Sequence, residues 1–188
     1  DMESKYTNLY QYLSTVIEKV PAGSNGVIFT PWLHGNRCPF EDPNARGMFY
    51  NLSIESGKSE MIRAVIEGVC MHMRWMLETH EKKTRTSDVV RFVGGGALND
   101  STSQILADCI GRPVEVVPGP QNVGAVGAAV VVAVGLGVID DIEQADMLID
   151  AEKVFKPNKD NKPVYDKMFA AYKELYAANK KIFKMLNG

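Results

Sequence analysis

The sequence has no excess of basic residues. Its 188 residues include 21 lysines and arginines against 23 aspartates and glutamates, so the formal net charge is −2 at pH 7, and the isoelectric point lies near 6.0. Proteins that bind nucleic acid or anionic membranes carry a basic surface that attracts phosphate groups. We therefore expect no nucleic acid and no membrane among the partners of this chain.

Cysteine and histidine are also scarce. Cys38, Cys70 and Cys109 are odd in number, widely spaced and outside any paired-thiol motif. This usage indicates reduced thiols in a cytoplasmic protein and argues against a disulfide scaffold or a zinc site. Cys70 and Cys109 fall on apolar helix faces, where core packing explains them. The histidines lack metal-ligand spacing, and we expect all three to face solvent: His34, His72 and His80.

The sequence lacks an apolar run long enough for a confident membrane span. Residues 123–139 are apolar but short and rich in glycine, and the first residues do not have the pattern expected of a signal peptide. This stretch predicts a buried helix. Its small residues Gly124, Gly127 and Ala128 would let a neighbouring backbone approach closely, either for helix packing or to leave room for a nucleotide.

What the sequence does contain is a regular alternation of strand and helix patterns. With 45% hydrophobic residues, the chain can bury the core of one domain. Residues 140–162 read as a polar connector, and the last helix is expected to dock on its own domain rather than form a coiled-coil dimer. Apolar spacing predicts helices over residues 1–20, 62–80, 99–110, 123–139 and 163–186, and strands over residues 26–33, 48–52, 89–93 and 114–117.

The loop 34–47, with the sequence HGNRCPFEDPNARG, concentrates turn-forming residues. Its charged residues Arg37, Asp42 and Arg46 allow two interpretations. They could orient a ligand, or they could form a salt-bridged loop that serves only the structure.

The stretch FVGGGALNDSTSQILAD, residues 92–108, has the pattern of a buried strand, a glycine turn and a helix. Glycines 94–96 permit positive φ and leave the backbone open to close approach. Residues 99–101 are all of types that commonly cap helices, and Gln104 stands three places after Ser101, as in a capping box. Free N–H groups at a helix start suit an anionic or polar ligand. The pattern therefore predicts a candidate nucleotide site.

The residues of the glycine turn also allow two alternatives to a nucleotide site. The glycines could serve only the packing of a tight strand-to-helix turn. A dinucleotide site is also conceivable, because Glu115 lies at the next strand about 20 residues on, where a ribose-binding acid is expected. However, the order Gly94, Gly96, Asn99 places asparagine where that fingerprint has its third glycine.

Several motifs, in order, resemble the carboxy-terminal lobe of FGGY-family carbohydrate kinases, and the xylulokinase branch more than glycerol kinase. They cover nearly the whole chain: RCPFEDPNARG, FVGGGALNDSTSQILADCIGRPVEV, GAVGAA and FKPNKDNKPVYDKMFAAYKELY. The resemblance implies an actin-like ATPase (ribonuclease H-like) α/β domain, with a mixed sheet flanked by helices and a C-terminal helix. It also implies that Gly96 and Asn99 approach the nucleotide, with Gly95 and Ala97 beside them.

The resemblance further implies a two-lobed enzyme that uses ATP and Mg²⁺ to phosphorylate a sugar such as D-xylulose. Residues 1–188 would be its C-terminal lobe, truncated at the start; Asp1 in place of methionine fits a fragment, although a processed terminus would look the same. The catalytic aspartate would lie in the absent N-terminal lobe. We therefore expect no sugar kinase activity from the chain alone, and give Asp42, Asp100 and Asp108 loop, cap and helix-surface roles.

The sequence leaves two further classes of function open. The chain could be a non-catalytic nucleotide-binding or interaction module of actin-like fold, and a dinucleotide-dependent oxidoreductase is a further alternative. Sequence upstream of Asp1 would separate the first from a kinase, and titration with ATP against NAD would separate the second. A homodimer is possible.

Overall fold

The computed structural model describes residues 9–144 and 149–188. The part of the predicted first helix that precedes Leu9 lies outside these residues. The helices are α1 (Leu9–Lys19), α2 (Lys58–Glu81), α3 (Asp100–Ile110), α4 (Val123–Gly135) and α5 (Lys162–Asn187), and the strands are β1 (Ile28–Thr30), β2 (Met48–Tyr50), β3 (Val90–Phe92), β4 (Val114–Val116) and β5 (Lys153–Phe155).

The strands form two small sheets. β1 and β2 pair antiparallel, with Phe29 opposite Phe49. In the second sheet β4 lies between β3, which runs parallel to it, and β5, which runs antiparallel. The expected mixed sheet is thus present. The prediction that residues 140–162 form only a connector is wrong, because β5 lies within them.

The core surrounds α2, which packs against α1, α3 and β1. Cys70 and Cys109 are buried there, as predicted, and α5 docks on the same core, also as predicted. Among the described residues no helix is both long and apolar enough to cross a bilayer. The larger buried side chains of the core are Ile17, Ile28, Trp32, Met71, Ile105, Leu106, Val114, Tyr165, Phe169 and Tyr172.

Helix α4 differs from its prediction. The apolar pattern correctly predicts a helix, but none of its residues is buried. A Cβ placed on Gly124 or Gly127 would meet no atom within 4 Å, so the small residues serve no close packing in the described structure. The prediction of a buried helix is therefore wrong for this chain.

A buried carboxylate joins distant parts of the chain. Glu67 is fully buried on α2. Its Oε1 accepts hydrogen bonds from the Gly23 amide (2.9 Å), Arg63 Nε (2.7 Å) and the Tyr165 hydroxyl (2.9 Å), and its Oε2 accepts one from Ser24 Oγ (2.7 Å). Burial, followed by the Glu67 charge, raises the pKa of Tyr165, so its hydroxyl stays protonated and donates.

We predict that Glu67→Ala lowers the free energy of unfolding by about 3–5 kcal/mol, because the charge of Arg63 is then buried without its partner. Glu78→Ala is the matched control on the same helix. Its ion pair with Arg74, also four residues apart, is more exposed, so its loss should cost less than about 1 kcal/mol. Urea denaturation measures both, and equal losses would contradict the assignment.

His72 has a structural role that the sequence did not indicate. Its Nε2 lies 2.9 Å from the Cys38 carbonyl oxygen, which can only accept, so this nitrogen carries the proton. Its Nδ1 accepts from Trp32 Nε1 (3.4 Å) and from the Tyr172 hydroxyl (3.2 Å). The prediction of a solvent-facing side chain is wrong for His72. The other two histidines are exposed, as predicted.

We predict that the stability of the chain falls as pH is lowered below about 6.5, the pKa of an unperturbed histidine. Burial lowers the pKa of His72, an effect that the bond to Cys38 partly opposes. The unfolded state therefore binds more protons than the folded state, and stability is lost until the pH passes the lowered pKa. The urea concentration at the midpoint of unfolding should be lower at pH 5.5 than at pH 7.5 in the unmodified chain, and this difference should be smaller in His72→Gln. The control His80→Gln should keep the full difference between the midpoints at the two pH values. If both variants keep it, the prediction is refuted.

Candidate functional site

The candidate site is the turn that connects β3 to α3. Gly94 adopts φ +90° and ψ −176°, a conformation that residues other than glycine rarely adopt. Its amide donates to the Pro120 carbonyl (2.8 Å) in the turn that follows β4. Because β3 and β4 are parallel, these two turns lie together at the carboxyl edge of the sheet, where α/β proteins bind ligands.

The backbone of this turn is open to solvent on one side. Gly95 and Gly96 are exposed, and a Cβ on Gly95 would meet no atom of residues 9–144 or 149–188 within 4 Å. A Cβ on Gly96 would lie 3.0 Å from Phe92 Cζ, so that glycine also serves contact with the ring. Ala97 is buried. We call the exposed backbone of Gly95 and Gly96 the glycine corner.

Asn99 fixes the start of α3. It is the N-cap residue, and its Oδ1 accepts a hydrogen bond from the Thr102 amide (3.2 Å). Its Nδ2 donates to Ser14 Oγ on α1 (2.7 Å). Both ends of the amide are therefore held, which orients Asn99 next to the glycine corner. The sequence did not indicate the contact with Ser14, because no local pattern relates Asn99 to a residue 85 positions away.

The predicted capping box is wrong. Ser101 lies inside the helix and donates from Oγ to Glu18 Oε1 on α1 (2.8 Å). Gln104 donates from Nε2 to Asp108 Oδ1 (2.8 Å) and to the Lys156 carbonyl (2.9 Å) instead of reaching back to the helix start. The start of α3 carries the partial positive charge of a helix N-terminus, which suits an anion.

The three aspartates have structural partners. Asp42 has the predicted loop role, since its Oδ1 accepts from the Asn44 amide (2.9 Å). Asp100 is the first helical residue rather than the cap, and Lys153 donates to its two oxygens at 2.8 and 2.9 Å.

The predicted surface role of Asp108 is wrong. Asp108 is only 4% exposed. Besides Gln104, the Asn158 amide and Asn161 Nδ2 donate to it, each at 2.8 Å. It therefore fixes the segment between β5 and α5 to α3.

The loop 34–47 is held by hydrogen bonds. Arg46 donates to the carbonyl oxygens of Pro43 (2.9 Å) and Ala45 (2.8 Å), and the Tyr176 hydroxyl donates to Asp42 Oδ2 (3.2 Å). Within residues 9–144 and 149–188, no ion pair joins the charged residues of this loop. The structural interpretation of the loop is therefore favoured, but hydrogen bonds replace the expected salt bridges.

The dinucleotide alternative loses support from the geometry. Glu115 lies in the middle of β4 and its Oε2 is 3.4 Å from Arg91 Nε, so its carboxylate faces a neighbouring strand rather than the end of the sheet, where a ribose would bind. Over the described part of the chain, no three acidic, histidine or cysteine side chains are placed to hold a metal ion.

The fold and the glycine turn place the chain among α/β domains of actin-like ATPase fold. It is similar to the xylulose kinase of Lactobacillus acidophilus, with a TM-score of 0.85 and 31% identity over 94% of this chain and 36% of that one. The gluconate kinase of the same organism gives a TM-score of 0.84 with the same identity and coverage.

The sequence comparison identifies the family. The family model for the C-terminal domain of the FGGY family of carbohydrate kinases matches residues 8–136. The xylulose kinase of Bacillus subtilis strain 168 is 30% identical over 172 residues, which are 91% of this chain and 34% of that protein. The chain therefore belongs to the FGGY family of carbohydrate kinases, and is xylulokinase-like. It spans about a third of the length of the relatives it matches.

We predict that Asn99→Ala destabilises the chain by about 1 kcal/mol, because the Thr102 amide loses its cap. Asn99→Ser is the matched variant, since a serine oxygen caps equally well. It cannot, however, keep the hydrogen bond to Ser14 by the same geometry. Thermal unfolding measures the cap, and a loss of equal size in both variants would show that the contact with α1, rather than the cap, carries the effect.

Proposed function

We propose that residues 1–188 form the C-terminal, nucleotide-binding lobe of an ATP-dependent sugar kinase that transfers the γ-phosphate of ATP to a sugar hydroxyl. The sugar site and the catalytic base belong to the remaining lobe, which corresponds to the two thirds of the relatives that this chain does not cover. The proposal rests on the family membership and on the open glycine corner beside α3.

The glycine corner is the observation that carries the nucleotide assignment. Among the described residues, no atom lies within 4 Å of a Cβ placed on Gly95, which leaves space for a flat ring against the backbone. Gly96, Ala97 and Asn99 would complete the contact between the nucleotide and the chain. The side-chain amide of Asn99 is already fixed by its hydrogen bonds with Thr102 and Ser14. Because these groups are held before a ligand binds, little ordering is needed on binding.

The chemistry of such an enzyme is mainly positioning. Phosphoryl transfer requires the phosphates to be aligned with the acceptor hydroxyl and their charge to be stabilised. The residues of this chain would bind and orient the nucleotide. Closure of the two lobes would exclude water, which otherwise competes with the sugar. Mg²⁺ would enter with the nucleotide, and we assign it no ligand in this chain.

The identity of the sugar is a narrower proposal than the kinase activity, because the structural comparison does not distinguish between sugars. A xylulose kinase and a gluconate kinase resemble the chain equally well, each with 31% identity. Because the xylulose kinase of Bacillus subtilis is 30% identical to the chain, we propose D-xylulose or a related sugar as the acceptor.

A non-catalytic nucleotide-binding module is the second candidate. It is compatible with the structural partners of Asp42, Asp100 and Asp108, which the kinase proposal also expects because it places the base in the other lobe. Both candidates require nucleotide binding. Only the kinase requires sugar-dependent ATP turnover when the missing lobe is present.

We predict that the 188-residue chain binds ADP and that Gly95→Leu weakens binding at least about tenfold, because the side chain fills the corner (about 1.4 kcal/mol per tenfold change). At about ten times its dissociation constant, ADP should raise the melting temperature by roughly 3–6 °C. Isothermal titration calorimetry and thermal unfolding measure the two effects.

Gly135→Leu serves as the control, because a Cβ there also meets no atom within 4 Å in the part of the chain that the structure describes. It should leave the ADP affinity unchanged. No binding at millimolar ADP, equal affinity in Gly95→Leu, or preference for NAD would each contradict the proposed function.

A further inference from the structure

One face of α1 is bonded to the first residues of α3 by two side-chain hydrogen bonds. Ser14 Oγ accepts from Asn99 Nδ2 (2.7 Å), and Glu18 Oε1 accepts from Ser101 Oγ (2.8 Å). Ser14 and Glu18 are four positions apart, so they lie on the same face of the helix. The two bonds differ in what they hold, because only the bond from Ser14 reaches the residue beside the glycine corner.

The bond to Ser14 determines how the side-chain amide of Asn99 is oriented. The Thr102 amide holds Asn99 Oδ1 at 3.2 Å, the long end of the range for such bonds. A single bond to the oxygen leaves the amide free to turn, because the last torsion of an asparagine side chain has a broad energy minimum. The shorter bond from Nδ2 to Ser14 (2.7 Å) adds a second fixed point. The two bonds together therefore fix the plane of the amide.

Ser14 is itself on a helix that the core holds in place. Arg63 Nη1 donates to the Ile17 carbonyl (2.8 Å) near the end of α1, and Arg63 Nε donates to the buried Glu67 Oε1 (2.7 Å). The Ile17 side chain is also buried. The position of Ser14 is therefore set by the core, and the orientation of Asn99 is set before any ligand binds.

The Asn99 amide can still donate a further hydrogen bond. An asparagine Nδ2 carries two N–H groups, and Ser14 is its one acceptor among the described residues. Asn99 is only half-buried and stands three positions after Gly96. A donor in this place, held in a fixed plane, suits an acceptor atom of a molecule bound at the glycine corner.

We propose that Ser14 is a positioning residue for the nucleotide. Its hydroxyl oxygen holds the Asn99 amide in the plane from which the second N–H donates to the nucleotide at the glycine corner. The loss of this hydroxyl leaves the glycine corner intact but allows the amide to turn, so part of the ordering has to occur on binding. The inference rests on the proposed function, because it assumes that a nucleotide binds beside Asn99.

The alternative is that the contact between Ser14 and Asn99 serves only the docking of α1 on α3. The second bond between these helices separates the two possibilities. Removing the Ser101 hydroxyl breaks the bond to Glu18, which has nearly the same length and joins the same helices, but it does not release the Asn99 side chain. A docking role predicts similar effects from the two changes on every property, whereas a positioning role predicts different effects on nucleotide affinity.

The test measures ADP binding to the 188-residue chain by isothermal titration calorimetry, well below the melting temperature of every variant. Ser14→Ala should weaken ADP binding about three- to tenfold, the range expected for one hydrogen bond. The control Ser101→Ala should keep the affinity of the unmodified chain, even though thermal unfolding shows a lower melting temperature in both variants. Ser14→Thr keeps a hydroxyl at this position and should restore the affinity.

A double-mutant cycle tests whether Ser14 acts through Asn99. Once Asn99→Ala has removed the amide, adding Ser14→Ala should not weaken ADP binding further, because the group that Ser14 positions is absent. A further loss as large as that in the unmodified background would show that the hydroxyl acts by another route, and would overturn the inference.

Three other results would also overturn it. They are an unchanged ADP affinity in Ser14→Ala, an equal loss of affinity in Ser101→Ala, and no recovery in Ser14→Thr. Each of these leaves the proposed function standing, since the unmodified chain still binds ADP. No ADP binding by the unmodified chain would contradict the proposed function and this inference together.

Discussion

The buried carboxylate of Glu67 is the interaction on which the arrangement of the helices depends. Through it and through Arg63, whose Nη1 donates to the Ile17 carbonyl (2.8 Å), α2 holds the end of α1. Helix α1 in turn holds the start of α3, because Ser14 accepts from Asn99 (2.7 Å). The orientation of the residue beside the glycine corner thus depends on a charge network in the core.

The described structure contains both fully bonded buried groups and exposed ones. Buried polar groups such as Glu67 and Asp108 have several partners each. The backbone of the glycine corner and the apolar helix α4 are exposed. Exposed loop backbone and exposed apolar surface are where ligands and partners commonly bind. The proposed nucleotide would occupy the glycine corner.

Local patterns were sufficient for most elements of the fold, and long-range contacts account for the errors. The glycine turn could be predicted because a positive φ at Gly94 is a local requirement for glycine. β5 was missed because it is a short strand with mostly exposed side chains. The environments of His72 and Asp108 depend on residues 34 or more positions away. The exposure of α4 could not be predicted, because an apolar pattern does not show whether another element covers the helix.

The central claim is that the backbone at Gly95 and Gly96 is open because a nucleotide binds there. A crystal structure of the chain with ADP tests it most directly. The account predicts the adenosine against these two glycines, within contact of Ala97 and Asn99. Adenosine bound elsewhere, or a corner filled by the chain's own side chains, would contradict it.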